Sequence, residues 1–363
     1  MGNKHMFKPD YAIPPGETLL ETLEAIGMTQ ADLADRTGRP KKTINEIIKG
    51  KTAITPETAL QLERVLGVPA SFWNNLERNY REALAVEEEQ LRLQKQVEWL
   101  KLFPIKVLQK LGYVKATQDK TQQLTEVLNF FGVSSPGTWE KVWLSPEVAF
   151  RKSETFESSP HSIATWLRLG ELRAKNIGCS PYDKAKFKQV IQQIRNLTLA
   201  PVQVWHEQIV ALCAEAGVAV VFIPEIPGTR VSGVTRWLSD KKALIQLSLR
   251  HKTDDHLWFT FFHEAAHILL HGKKEVFIEG LHGDLTEKEE EANKFSRDFL
   301  IPLNELTNFL RTNRSYSKQA IKLFAIRLGI PAGIVVGRLQ HDRIIPMSNC
   351  NDLKTRYKFE WDN

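Results

Sequence analysis

Two histidines four residues apart, with a glutamate beside the first, stand in one of the most apolar stretches of the chain. Residues 258–271 read WFTFFHEAAHILLH. Phe259, Phe261, Phe262, Ala265, Ala266, Ile268, Leu269 and Leu270 leave little polar surface, which marks a helix buried on most of its faces. Imidazoles and a carboxylate are costly in such surroundings unless something satisfies them. His263 and His267, at i and i+4, project from one helical face at a separation that a single zinc ion bridges. Glu264 stands next to the first of them, where a carboxylate can accept a proton from water activated by the metal. This HExxH spacing is the signature of zinc-dependent peptide hydrolysis.

A pattern this short also arises by chance in satisfied core helices, so a third ligand has to be found. The arrangement with a third histidine six residues after the second is excluded, because that position is Lys273. A carboxylate from a later helix remains. Residues 286–300, TEKEEEANKFSRDFL, offer one, with Thr286 and Glu289 spaced as a capping box. Ala292, Phe295 and Phe299 form the apolar stripe of that helix, and Glu289 lies on the Ala292/Asn293 side of it. Glu290 groups instead with Lys294 and Arg297 and is expected to face water. Glu289 is the favoured third ligand, with Glu290 and Glu291 as alternatives. Zinc is the default metal, though a His₂Glu set also accepts manganese or iron.

HEAAHILLH followed by EEEANKFSRDFLIP resembles the ImmA/IrrE family of bacterial metallopeptidases, whose later helix reads roughly E-x-x-A-N-x-F-A-x-x-L-L-x-P. The pattern falls on Glu289, Ala292, Asn293, Phe295 and Pro302, with Ser296 where the family usually carries alanine. The resemblance covers about residues 202–302. It implies zinc held by His263, His267 and Glu289, Glu264 as general base, and a narrow substrate range, typically a repressor protein.

Elements around this motif follow from periodicity and turn residues. The texture changes at Val202: VWHEQIVALCAEAG reads as a helix leading into the apolar run VAVVFIPE, and VSGVTRWL and residues 242–249 read as two further strands just before the HExxH helix. Such a small sheet would hold an extended peptide along its edge. Arg250, His251, His271 and His282 are candidates for stabilising an oxyanion or steadying a ligand, each with an ordinary surface role as its alternative. Beyond Pro302 the pattern is helical again, and the segment ending in PAGIVVGRL superficially resembles a helix-turn-helix pair.

The first 85 residues carry different chemistry. Gly27, Gly38 and Gly50 stop three short helices, Thr29 caps the second, and Thr55-Pro56 opens a fourth. A fifth starts near Ser71 and carries Phe72, Trp73, Leu76 and Tyr80. A second and third helix joined by a short turn is helix-turn-helix spacing. The segment resembles the XRE-like helix-turn-helix family, in particular the HigA group of antitoxin-type repressors. Arg36, Arg39, Lys41, Lys42, Lys49 and Lys51 face Glu46 alone, a local positive excess suited to phosphates. Gln30, Arg39, Lys41, Lys42, Thr43, Asn45 and Lys49 are the expected DNA contacts. From Tyr80 a long charged helix is expected to run to about Pro104. After it come helical blocks whose Trp139, Trp143 and Trp166 read as packing residues.

Net charge is +6 over 363 residues, a mild hint of nucleic acid. Three scattered cysteines argue against a disulfide scaffold, and no run reaches the length of a bilayer span. A secreted protease is therefore not expected; a cytoplasmic protein without membrane contact is. The expected fold is mainly α with a small sheet (α+β). Its expected parts are a helix-turn-helix domain at 1–85, a connector and helical middle region at 86–200, a zinc peptidase domain at 201–345, and a tail at 346–363. The expected function is a DNA-binding regulator fused to a zinc endopeptidase that cuts a repressor or partner protein, acting as a homodimer on operator DNA in a stress, phage or toxin-antitoxin response. The rival is a HigA-like antitoxin or autorepressor whose peptidase fold binds without cutting.

Overall fold

The chain divides into two compact units, Met1–Glu98 and Trp99–Asn363, each with its own core. The computed structural model describes residues 13–144, 159–272, 277–278, 287–313 and 315–358.

The first unit is helical: α1 (Pro15–Ala25), α2 (Gln30–Thr37), α3 (Lys41–Ile48), α4 (Pro56–Leu66) and α5 (Ala70–Gln94). Thr29 accepts from the Asp32 amide while the Asp32 carboxylate accepts from the Thr29 amide, so α2 begins with a complete capping box. Gly38 ends α2 in the left-handed conformation, at φ 67°. Leu19, Leu23, Leu33, Ile44, Ile47, Leu62 and Trp73 close the core. Glu77 is almost buried beside it. Its carboxylate accepts from the Ile54 amide at 3.0 Å and from Arg81 Nε at 2.7 Å, tying the turn before α4 to α5. The long charged helix expected from Tyr80 to about Pro104 is the continuation of helix five, and it ends earlier, at Gln94. Residues 70–94 contain neither glycine nor proline, so α5 continues unbroken to Gln94, and a 3₁₀ turn at Val97–Leu102 follows.

The second unit contains α6 (Ile105–Lys110), α7 (Lys120–Phe131), α8 (Pro136–Trp143), α9 (Pro160–Lys175), α10 (Lys184–Leu197) and α11 (Val202–Glu215). Then come β1 (Val218–Phe222), β2 (Gly233–Ser239), β3 (Lys242–Leu247), α12 (Asp254–Leu270), β4 (Phe277–Ile278) and α13 (Glu287–Leu300). It closes with α14 (Leu303–Thr312), α15 (Lys318–Leu328) and α16 (Ala332–His341). Strand order is β1-β3-β2-β4; β1 runs parallel to β3, and β2 is antiparallel to both of its neighbours. The three strands expected from alternation are present. β4 is an addition, a two-residue pairing too short to show any periodicity.

Successive residues of β3 point to opposite faces. Ile245 and Leu247 join Trp258, Phe261 and Phe262 of α12 in the main core. Gln246 points the other way and donates to the Trp166 carbonyl of α9 at 2.7 Å. At Gly170 of α9 a Cβ would lie 1.8 Å from Gln246 Oε1, so glycine is what lets α9 approach the sheet. Trp139, Trp143 and Trp166 are all buried, and Trp166 donates to the Ile223 carbonyl at 3.0 Å. Their role is packing.

Within the expected tail, the described residues 354–357 pack against the start of α12. The Tyr357 amide donates to the Lys252 carbonyl at 2.9 Å, and Thr253 bridges Arg356. Lys354 Nζ lies 2.7 Å from Asp255 Oδ2, both side chains nearly buried. This returning segment closes the first turn of α12. Among the described residues no single helix is long and apolar enough to cross a membrane. α15 and α16 meet that test only as a pair bent by 113°, and they bury Ile321, Phe324, Ile334 and Val335 in the core.

Candidate functional site

α12 carries the polar cluster through the middle of the second core. His263, Glu264 and His267 are 2%, 0% and 1% exposed, so whatever satisfies them lies inside the protein. One side of the helix is held by the sheet: Thr235 of β2 donates its hydroxyl to the Glu264 carbonyl at 2.9 Å. Gly233, at the start of β2, lies so close that a Cβ there would stand 2.7 Å from Glu264 Oε1 and 2.6 Å from Thr260 Cγ2. The other side is held by α13. Ser296 is fully buried and donates to the Phe259 carbonyl at 2.8 Å. A hydroxyl at the position where alanine is expected is therefore put to use as an inter-helix bond.

That register sets Glu289, two turns before Ser296, opposite the histidines. Glu289 Oε2 is 3.2 Å from His263 Nε2, Glu289 Oε1 is 3.6 Å from His267 Nε2, and the two imidazole Nε2 atoms are 3.0 Å apart. One potential ligand atom from each residue lies within 4.8 Å of the others. Burial pulls the His267 imidazole down to about 4, against the pull of the Glu289 carboxylate, so the ring is neutral near pH 7. Burial alone would push Glu289 up. Its hydrogen bonds with His263 and His267 outweigh that and hold it well below the usual carboxylate range. Neutral imidazoles and an ionised carboxylate are the forms in which these side chains ligate a metal. The donor set fits a divalent ion of the zinc type, two nitrogens and an oxygen converging from two packed helices.

The other acidic residues of α13 have different partners. Glu290 pairs with Arg297, and Glu291 Oε2 lies 3.1 Å from His271 Nε2. His271 Nδ1 is in turn 2.9 Å from His267 Nδ1. Glu291, His271 and His267 thus form a chain ending on the cluster, and the Glu291 link was not read from the sequence. Its signal was present: His271 is the i+4 neighbour of His267, so a partner on the facing helix was to be looked for. Arg250 is taken up by Glu225 and by the Arg230 carbonyl, and His251 stacks on His256 with ring centroids 4.1 Å apart. His282 and Thr286 lie outside the described residues.

In the first unit, α2 and α3 pack through Leu33, Ala34, Ile44 and Ile47, leaving the opposite edge of α3 to solvent. Lys41, Lys42 and Lys49 are exposed and Thr43 is half-buried. Asn45 Nδ2 donates to Gln30 Oε1 at 3.3 Å, joining the start of α2 to α3. Lys42 lies 3.8 Å from Glu46. Arg39 behaves differently from expectation, which set Glu46 as the one acid facing the basic patch. Its guanidinium donates to Gln61 and lies 3.8 Å from Glu57, because α4 packs beside the end of α2 and brings both within reach.

A helix-turn-helix family matches residues 19–73, and the IrrE N-terminal-like domain, a metallopeptidase-like family, matches residues 213–340. The chain is a helix-turn-helix protein joined to an IrrE N-terminal-like domain. The second match extends past Pro302 through α16, so the closing helices belong to that domain. Virulence-associated protein I of Dichelobacter nodosus is 36% identical over 80 residues, 22% of this chain and 74% of that protein. The uncharacterized HTH-type transcriptional regulator YddM of Escherichia coli strain K12 is 30% identical over 63 residues, 17% of this chain and 67% of its own length. An addiction module antidote protein of the HigA family from Coxiella burnetii is a solved structure at 32% identity. That match covers 23% of this chain and 92% of the antidote protein, with a TM-score of 0.22. Each of these three matches spans less than a quarter of this chain.

Proposed function

We propose that this helix-turn-helix regulator carries a zinc-dependent endopeptidase as its second unit and cleaves a repressor or a toxin-antitoxin partner protein in the cytoplasm. The observation that carries the reading is the meeting of His263, His267 and Glu289 at one buried point beside Glu264. In this reading His263, His267 and Glu289 hold zinc, which supplies Lewis-acid polarisation of the scissile carbonyl and acidifies water. Glu264 accepts the proton of the attacking water and passes it to the leaving amine. Thr235 and Gly233 hold the Glu264 segment against β2, so that the carboxylate keeps one position during the reaction. An extended substrate lies along the sheet edge at β4, pairing through its backbone.

His271 is a positioning residue in this account, fixing the ring of His267 while Glu291 fixes its own. His271→Ala is expected to weaken zinc binding by about 10- to 100-fold, read by competition with a chelating indicator. An unchanged affinity would make the chain of bonds irrelevant to the metal.

The first unit is proposed to bind operator DNA as a homodimer, with Gln30, Lys41, Lys42, Thr43, Asn45 and Lys49 on the contacting face. Two half-sites read by two copies suit helix-turn-helix geometry. The peptidase reading is tested by incubating zinc-loaded protein with a peptide library cut from a bacterial proteome and sequencing the new termini. New termini should appear, vanish with a chelator and return when zinc is restored. Cleavage that survives the chelator would contradict the reading. No cleavage at all would favour the antitoxin-like regulator with a non-catalytic second unit.

A further inference from the structure

A cavity of about 520 Å³ lies beside the earlier turns of α12 and is lined by residues of the second unit alone. Two residues fix its place relative to the His-His-Glu cluster. Phe259 lines it and stands on the same face as His263, one helical turn or about 6 Å earlier along the axis. The two ring centroids are 6.1 Å apart. Ser232 lines it as well, and the next residue is Gly233, where a Cβ would stand 2.7 Å from Glu264 Oε1. The cavity thus starts one turn from the first of the clustered histidines and one residue from the strand position that meets Glu264. An extended chain advances about 3.3 Å per residue. A peptide with a carbonyl at the cluster can therefore place a side chain here from within two residues of that carbonyl.

The lining selects the side chain. Half-buried Phe259, exposed Met347 and the exposed, stacked rings of His251 and His256 keep accessible surface, and Leu300 and Ile334 complete an apolar wall. Three of the charged residues around it are answered by neighbours: Arg297 by Glu290, Arg338 by Asp342 and Lys354 by Asp255. A charged side chain entering the cavity would give up water and find these partners already engaged. Arg343 is the exposed exception, which makes an acidic side chain the rival occupant. We propose that, in the peptidase reading on which this inference rests, the cavity receives a bulky apolar side chain from a substrate residue within two positions of the scissile bond. Phenylalanine, tryptophan, leucine and methionine are of the class that would bury most surface against this wall.

Binding is read without turnover, on full-length, zinc-loaded Glu264→Gln, by the fluorescence anisotropy of fluorescein-labelled heptapeptides. One is alanine throughout; the others carry phenylalanine or aspartate at the centre. The phenylalanine peptide is expected to bind about 10- to 100-fold more tightly than the alanine peptide, the effect of burying such a ring, and aspartate no better than alanine. Adding Met347→Asp should bring the phenylalanine peptide close to the alanine level and leave the alanine peptide unchanged. Phe259→Ala should act in the same direction. Met347 is 67% exposed, so its variant keeps the test open if Phe259→Ala unfolds. Equal binding of the three peptides, a preference for aspartate, or a phenylalanine preference indifferent to both substitutions would overturn the proposal. With the unmodified chain, new termini from the proteome library should carry bulky apolar residues within two positions of the cut, and cuts without that bias would also overturn it. Selective binding by a chain that cuts nothing would contradict the peptidase reading alone and leave the pocket standing.

Discussion

Glu264→Gln is expected to lower the rate of peptide cleavage by at least about 10²–10⁴-fold, the usual contribution of a general acid–base group, without removing the metal. Glu264 is fully buried yet stands outside the set of three side chains whose donor atoms converge. Its replacement by an amide of the same shape keeps the close approach to Gly233 and removes only the proton acceptor. The change should therefore appear in the rate at which new termini form, with zinc content and melting temperature close to those of the unmodified chain. Cleavage at an undiminished rate would move the proton acceptor to another residue. Loss of zinc together with activity would make Glu264 part of the metal's support instead. DNA binding, which belongs to the first unit, should be untouched in either event.

The second large effect is expected from Lys41→Ala combined with Lys42→Ala. Both side chains are exposed at the start of α3. Each lysine that meets a phosphate adds about 0.9 to the slope of log K against log salt. Removing both should flatten that slope by nearly twice as much and weaken binding by roughly 10- to 100-fold at low salt. The measurement is a salt titration of a fluorescent duplex of random sequence, followed by one selected from a library. Arg39→Ala is the internal control. Its guanidinium is engaged by Gln61 and Glu57, so its loss should cost stability more than it alters the salt slope. Equal slopes for the double variant and the unmodified chain would remove this face from DNA recognition.

Much of this arrangement was legible in local chemistry. Thr29 and Gly38 marked the limits of α2 because a cap and a left-handed stop act through their own neighbours. The place of Glu289 across from the histidines followed from its position beside the Ala292–Phe295 stripe, since a helix that buries that stripe must turn the residue inward. Interactions between distant segments were less readable. Nothing near Arg39 announces Gln61 and Glu57, and nothing near Asp255 announces Lys354, 99 positions later. β4 was hidden by its length, and the end of α5 at Gln94, short of the expected Pro104, by the absence of any glycine or proline there.

The most direct test of the account is the metal content of the purified full-length chain by elemental analysis, measured beside Glu289→Ala and His263→Ala. The account predicts about one zinc per chain in the unmodified protein and a loss in both variants, with the folded helical signal retained. A metal-replete preparation containing no zinc, or variants that keep it, would contradict the central claim and leave a DNA-binding regulator whose second unit works without a metal.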